Sequence, residues 1–259
     1  MIEFENVTKK YRKSVTALSE ISLRIREKGV YCLLGRNGAG KTTFMRVLAG
    51  RIPVSSGGAY INGKKIGVLD SPESVAYIET AKNQFNMKIA DLIKFSRGIN
   101  GGFDESFALE IAESFGLDLN KKYNSLSFGT KTMVTTMLAL SANKDVVLLD
   151  EPVLGFDPIT RRRLYRLLRE RYSNSRGTVI VSTHLIDEIA DYADKLIIID
   201  GGKIVLYDDV KRATAKNGET LGELFERLTG GKEYGCDGKF IYGKGYTGEN
   251  YAGESYERQ

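Results

Sequence analysis

The sequence predicts an α/β fold, with a parallel sheet covered by helices on both faces, an antiparallel β portion near the N-terminus, and a helical insertion. Three observations lead there. Val30-Tyr31-Cys32-Leu33-Leu34, Val146-Val147-Leu148-Leu149 and Val179-Ile180-Val181 are short continuous apolar runs, the pattern of strands buried on both faces. Strands alternate with stretches of helical periodicity, which implies helical crossovers between parallel strands. The first run also leads directly into a glycine loop, Gly35-Arg36-Asn37-Gly38-Ala39-Gly40-Lys41-Thr42-Thr43, with a helix behind it.

In chain order, spaced apolar residues Ile2, Phe4 and Val7 predict a strand ending near Tyr11, and Leu18, Ile21, Leu23 and Ile25 a second over residues 17–26. Residues 41–49 predict the helix after the glycine loop, closed by Gly50. Ser55-Ser56-Gly57-Gly58 and Asn62-Gly63 punctuate short apolar runs, the signature of a hairpin or meander. Residues 75–78 are another strand candidate. From residue 89 to 142 the pattern turns helical, with Ile89, Leu92 and Ile93 in one helix, residues 107–115 in a second ended by Gly116, and residues 131–140 in a third after Gly129. The sheet resumes at 145–150. Asp157-Pro158 supplies an N-cap and a first helical residue for a helix to about Tyr172, whose arginines are expected on a solvated face. Strands at 178–182 and 195–200 enclose a helix at 185–193. Residues 232–259 interleave tyrosines with glycines and carry four basic and five acidic residues, a net charge of −1. Without a basic surplus they read as a mobile tail or small hairpin, not as a surface for single-stranded nucleic acid.

The totals agree with one α/β domain plus an insertion and a tail. The chain has 259 residues, 42% of them hydrophobic, enough for a sizeable core. A formal charge of +5 suits an anionic ligand or a membrane surface and is too small to argue for nucleic acid. Two cysteines, Cys32 and Cys236, make a disulfide framework improbable and point to a reducing compartment. The N-terminus has no basic-then-apolar signal pattern, and no window approaches the roughly 18 apolar residues of a membrane span.

The glycine loop fits the phosphate-loop pattern without a mismatch. Glycines let such a loop turn its N–H groups inward toward phosphate oxygens, and the helix N-terminus adds positive potential at the same spot. Lys41 can reach the β- and γ-phosphates of a nucleotide, and the Thr42 hydroxyl can ligate Mg²⁺. Asp150 and Glu151 close a buried strand. The first is placed to hold Mg²⁺, and the second, turned the other way, to act as general base. His184, the single histidine, follows the next strand at the same kind of end, where open parallel sheets bind ligands. Ser127 and Gly129 offer a hydroxyl and open backbone at a helix N-terminus, a second potential phosphate binder that an ordinary N-cap would also explain.

Taken together, the order GRNGAGKT, LSFGT, VVLLDEP, GFD and STH over about residues 2 to 230 is similar to the ATP-binding cassette ATPases, most of all to the ATP-binding subunits of exporters. The resemblance implies a P-loop NTPase core with an antiparallel β-subdomain at 1–88 and 143–231, a helical signature subdomain at 89–142, and the tail at 232–259. It implies a head-to-tail dimer of two such chains, or of this chain and a related ATPase subunit, with ATP and Mg²⁺ at the interface. Tyr11 would stack on the adenine. Ser127 and Gly129 would touch the partner's γ-phosphate, Asp157 would link the two sites, and His184 would contact the γ-phosphate. An integral-membrane transporter subunit would be driven from the cytoplasmic face, its short helix held by anchors such as Phe85, Met87 and Phe95. The alternative is a soluble ATPase of the same family acting in assembly or on nucleic acid. Nucleic acid is disfavoured because no sustained heptads separate phosphate loop from signature. Two departures stand out. Phe128 replaces the signature's usual first glycine and Thr130 its glutamine, while Glu79 or Thr80 stands where a glutamine is expected, with Gln84 too far along.

Overall fold

The computed structural model describes residues 1–12, 15–67, 72–79, 85–172, 177–230, 232–234 and 240–242. β1 (Ile2–Lys10) and β2 (Thr16–Ile25) lead into β3 (Gly29–Leu34), the glycine loop and α1 (Lys41–Leu48). β4 (Ser56–Ile61) and β5 (Lys64–Lys65) form a hairpin whose turn residues Asn62 and Gly63 both take positive φ, at 51° and 78°. β6 (Val75–Glu79) follows. Then come α2 (Ile89–Ile99), α3 (Glu105–Ser114) and α4 (Phe128–Ser141), and β7 (Val146–Asp150), α5 (Pro158–Tyr172) and β8 (Thr178–Ser182). The chain continues through α6 (Ile186–Ala190), β9 (Lys195–Asp200), β10 (Lys203–Asp209), α7 (Val210–Ala215) and α8 (Leu221–Thr229).

The main sheet runs β10-β9-β3-β8-β7-β6, parallel from β9 to β6 with β10 antiparallel on the edge. A second sheet, β2-β1-β4-β5, is antiparallel throughout. Alternation along the buried strands divides the core in two. Cys32, Leu34, Val147, Leu149, Val179 and Val181 pack with α2 to α6, while Tyr31, Leu33, Leu148, Ile180 and Ile197 pack with α1 and the antiparallel sheet. Both faces are therefore apolar, which is why these strands read as continuous hydrophobic runs.

Several expectations shift. α4 begins at Phe128, so Gly129 lies inside the helix and Ser127 is its N-cap. α6 is shorter than expected, because its helical turns give way after Ala190 before β9. β10, α7 and α8 add to the expected elements, and α8 opens on a Thr220–Glu223 capping box and ends at Gly230 with positive φ. The arginines of α5 are not all solvated. Arg171 pairs with Asp104 at 2.8 Å and stacks on Phe107, Arg161 pairs with Glu188 at 2.9 Å, and Arg163 stacks on Phe115. Long arginine stems can cover apolar surface while their heads find carboxylates, so a helix face rich in arginine need not be a wet one. Of the three expected anchors, Phe85 and Met87 are half-buried against the core, Phe85 edge-on to Tyr123 at 5.1 Å, and only Phe95 is exposed. In the tail, β11 (Lys232–Tyr234) and β12 (Phe240–Tyr242) pair as an antiparallel hairpin, while Cys236 and the tyrosines beyond Tyr242 lie outside the described residues.

Candidate active site

The parallel register lines up strand ends, and the predicted groups sit there. The glycine loop leaves β3, Asp150 ends β7 with Glu151 next, and His184 follows β8 by two residues. β8 lies between β3 and β7, so all three strands are neighbours.

The loop needs its glycines for stated reasons. Gly40 has φ +113°, and a Cβ there would lie 2.5 Å from the Ala17 carbonyl oxygen. Gly38 has φ +83° with open space around it, so conformation alone selects glycine. α1 starts at Lys41 without a side-chain cap, which leaves its first N–H groups to a ligand or to water. Lys41 is nearly buried, and its Nζ donates to the carbonyls of Gly35 at 2.5 Å and Arg36 at 3.3 Å. Burial pushes the Lys41 ammonium pKa down, with Glu151 and Asp150 pulling it back up. A desolvated cation beside an open glycine loop at a helix N-terminus fits a polyphosphate.

Asp150 is 5% exposed, and its Oδ1 accepts the Ser182 hydroxyl. Glu151 holds an unusual backbone, φ +52°, and its N–H donates to Ser182 Oγ at 3.1 Å and Ser182 O at 3.2 Å. Its Oε2 lies 3.0 Å from His184 Nδ1. Desolvation raises the Glu151 pKa above the ordinary glutamate value, Asp150 adds to this, and His184 and Lys41 oppose it. His184, Glu188, Gly35, Arg36, Asn37 and, from α8, Phe225 line a cavity of about 880 Å³. Thr42, in the first turn of α1, is half-buried. Among the described residues no group of three or more His, Cys, Asp or Glu could hold a metal unaided. Mg²⁺ is commonly held by one or two protein oxygens together with substrate phosphates and water, so a donor pair such as Asp150 and Thr42 fits that ion and not an all-protein cage.

Tyr11 stands beside this cradle, 39% exposed, its hydroxyl 3.4 Å from Thr43 Oγ1 and its ring under Lys9 at 5.3 Å. Ala39 is buried within the loop, and Asn37 is exposed. Ser127, Gly129 and Asp157 form a separate group. Ser127 Oγ accepts from the Thr130 N–H at 3.2 Å, and Asp157 Oδ1 caps α5 by accepting from the N–H groups of Ile159 and Thr160 at 2.9 and 3.0 Å. A Cβ on Gly129 would meet the Gly155 carbonyl at 2.7 Å, and one on Gly155 would meet the Phe128 ring at 2.7 Å. The signature segment therefore packs directly on the loop that carries Asp157.

Sequence reasoning missed two features. Ser182 is fully buried and touches both strand-end acids, and its only signal was a hydroxyl ending an apolar run. Glu79 accepts Arg46 Nε at 3.0 Å, Arg46 Nη2, and the Tyr77 hydroxyl at 3.1 Å, which ties β6 to α1. Thr80 and Gln84 lie outside the described residues.

A family model described as ABC transporter matches residues 18–154. The uncharacterized ABC transporter ATP-binding protein MJ1023 of Methanocaldococcus jannaschii is 35% identical over 219 residues, covering 81% of this chain and 78% of that protein. The lantibiotic transport ATP-binding protein SrtF of Streptococcus pyogenes is 30% identical, covering 87% and 96%. The phosphonates import ATP-binding protein PhnC of Lactococcus lactis is 28% identical, covering 88% and 99%. The solved dimer of the ATP-binding cassette MJ0796 bound to ADP and Pi shares the fold, with TM-score 0.71, 24% identity and coverage of 81% and 99%.

Proposed function

The chain belongs to the ABC transporter ATP-binding family and is an ATP-hydrolysing subunit, and from that premise we propose how its own residues perform the reaction and what it drives. The carrying observation is the meeting of Lys41, Asp150, Glu151 and His184 at adjacent strand ends, with the Glu151–His184 contact at 3.0 Å. Lys41 and the N–H groups of the loop, from Gly35 through Asn37, Gly38, Ala39 and Gly40 to Thr42 and Thr43, hold the phosphates of ATP. Glu151 takes the proton of the attacking water as its oxygen bonds the γ-phosphorus and the bond to the β–γ bridging oxygen breaks. His184 orients Glu151 and donates toward the γ-phosphate. Asp150 and Thr42 would hold Mg²⁺, which would supply charge neutralisation at the phosphates. The Tyr11 ring stacks on the adenine.

The second group is assigned to a partner copy or a related ATPase subunit, with Ser127 and Gly129 reaching that partner's γ-phosphate and Asp157 joining the sites. In this reading residues 1–88 and 143–231 are the core, 89–142 the helical subdomain, and 232–259 an appendage. No helix among the described residues is long and apolar enough to cross a membrane. In this proposal a separate membrane-spanning subunit carries the coupling, with this chain peripheral on the cytoplasmic face, as the family's ATP-binding subunits work. Export rests on the motif resemblance alone, since the relatives include one named for lantibiotic transport and one named for phosphonates import. Glu151→Gln tests the scheme: the amide keeps the size and cannot accept the proton, so ATP binds and the closed dimer persists. Size-exclusion with ATP and Mg²⁺ should show a dimer for the variant, and a monomer for both variant and wild type refutes ATP-driven pairing.

A further inference from the structure

Ser182 ends β8 with no exposed surface, directly after Val179, Ile180 and Val181. Register places it opposite Asp150 of β7, and alternation puts both on the face shared by Leu148 and Ile180, toward α1. A buried hydroxyl is unfavourable unless it is paired. A serine hydroxyl has one proton to donate and lone pairs to accept. Here the proton goes to Asp150 Oδ1, and a lone pair accepts the Glu151 N–H at 3.1 Å. That second bond, together with the Ser182 carbonyl at 3.2 Å, holds Glu151 in its positive-φ backbone, a conformation a glutamate adopts only when its surroundings impose it.

We propose that Ser182 is a positioning residue for hydrolysis: its one hydroxyl fixes the rotation of the Asp150 carboxylate and the backbone turn that aims Glu151. It rests on the reading of Asp150 and Glu151 given above. The hydroxyl spans two functions, because it anchors an oxygen of the metal-holding acid and orients the proton-accepting one. It also sits two residues before His184, so β8 sets the relative placement of all three groups.

The experiment compares Ser182→Ala, Ser182→Thr and Asp150→Asn in the full chain. Binding of a non-hydrolysable ATP analogue is titrated with and without Mg²⁺, and kcat, KM and melting temperature are measured alongside. Loss of a partner that orients a metal-holding group commonly costs about 10- to 100-fold in metal affinity or activity. Ser182→Ala should therefore raise the Mg²⁺ concentration for half-maximal analogue binding by about that factor and lower kcat comparably. Mg²⁺-free analogue binding and KM should move less than about threefold, since the phosphate loop is untouched. Ser182→Thr, which restores a hydroxyl, should recover both losses. If Ser182→Ala changes only the melting temperature, or if folded Ser182→Thr recovers nothing, the proposal fails. Asp150→Asn separates the two levels. A shifted Mg²⁺ dependence there with a silent Ser182→Ala overturns Ser182 alone, and an unshifted one overturns the metal reading with it.

Discussion

Lys41→Met tests the phosphate cradle with a number. The change keeps most of the stem and removes the ammonium that donates to the Gly35 and Arg36 carbonyls. Two effects oppose each other in the nucleotide-free protein. The buried Gly35 carbonyl loses its donor, which costs about 1–3 kcal/mol. Removing a desolvated cation, whose strain shows in the lowered Lys41 pKa, returns a similar amount. The nucleotide-free melting temperature should therefore change by no more than about 3 °C, at about 2–4 °C per kcal/mol for a chain of this size. Nucleotide binding has no such offset. A charge-assisted hydrogen bond contributes about 1.5–3 kcal/mol, so the variant should bind ATP roughly 100-fold more weakly. With ATP at about 100 times the wild-type Kd, the wild type gains about 2.7 kcal/mol, or roughly 5–11 °C. At the same concentration the variant gains about 0.4 kcal/mol, or about 1 °C. Scanning calorimetry with and without ATP and Mg²⁺ reads both values. An equal ATP-induced shift in variant and wild type would refute the cradle, and a nucleotide-free loss above roughly 10 °C would make Lys41 a structural tie instead.

Three further outcomes follow from the structure. Glu151 carries a raised pKa, chiefly from desolvation, so its ionised form is a cost to the folded state. That cost is absent below the unfolded-state value of about 4.3 and complete above the folded-state value. Glu151→Gln should thus gain stability relative to wild type as pH rises through that window, and parallel stability–pH curves would refute the shift. The wild-type acid limb of kcat/KM should lie above about pH 4.3 for the same reason, since the base must be ionised. Gly155→Ala places a Cβ 2.7 Å from the Phe128 ring at φ +84°, which should cost about 1–3 kcal/mol and lower the melting temperature by roughly 2–12 °C. An unchanged melting temperature would show that the signature segment does not rest on this loop.

The sequence by itself determined the fold class and singled out the glycine loop and the strand-end residues of the proposed nucleotide site. Glycines at fixed spacing leave few conformations, and Val146 to Leu149 or Val179 to Val181 can be apolar throughout only in a strand covered on both sides. The residues at the strand ends were legible because a parallel sheet brings its C-terminal ends to one edge whatever the connections between them. Tertiary structure decided what each polar group faces. Nothing local says that Arg171 meets Asp104 from α3, that Phe85 lies edge-on to Tyr123, or that Glu79 is clamped by Arg46 from α1. Ser182 is the clearest case. A serine closing an apolar strand looks like the start of a loop, and it becomes a tie between two acids only because β7 pairs beside β8 in the register that sets Asp150 opposite it. Partners in such contacts are separated by 32 residues or more along the chain, so their pairing is fixed by packing and register, which no short stretch of sequence encodes.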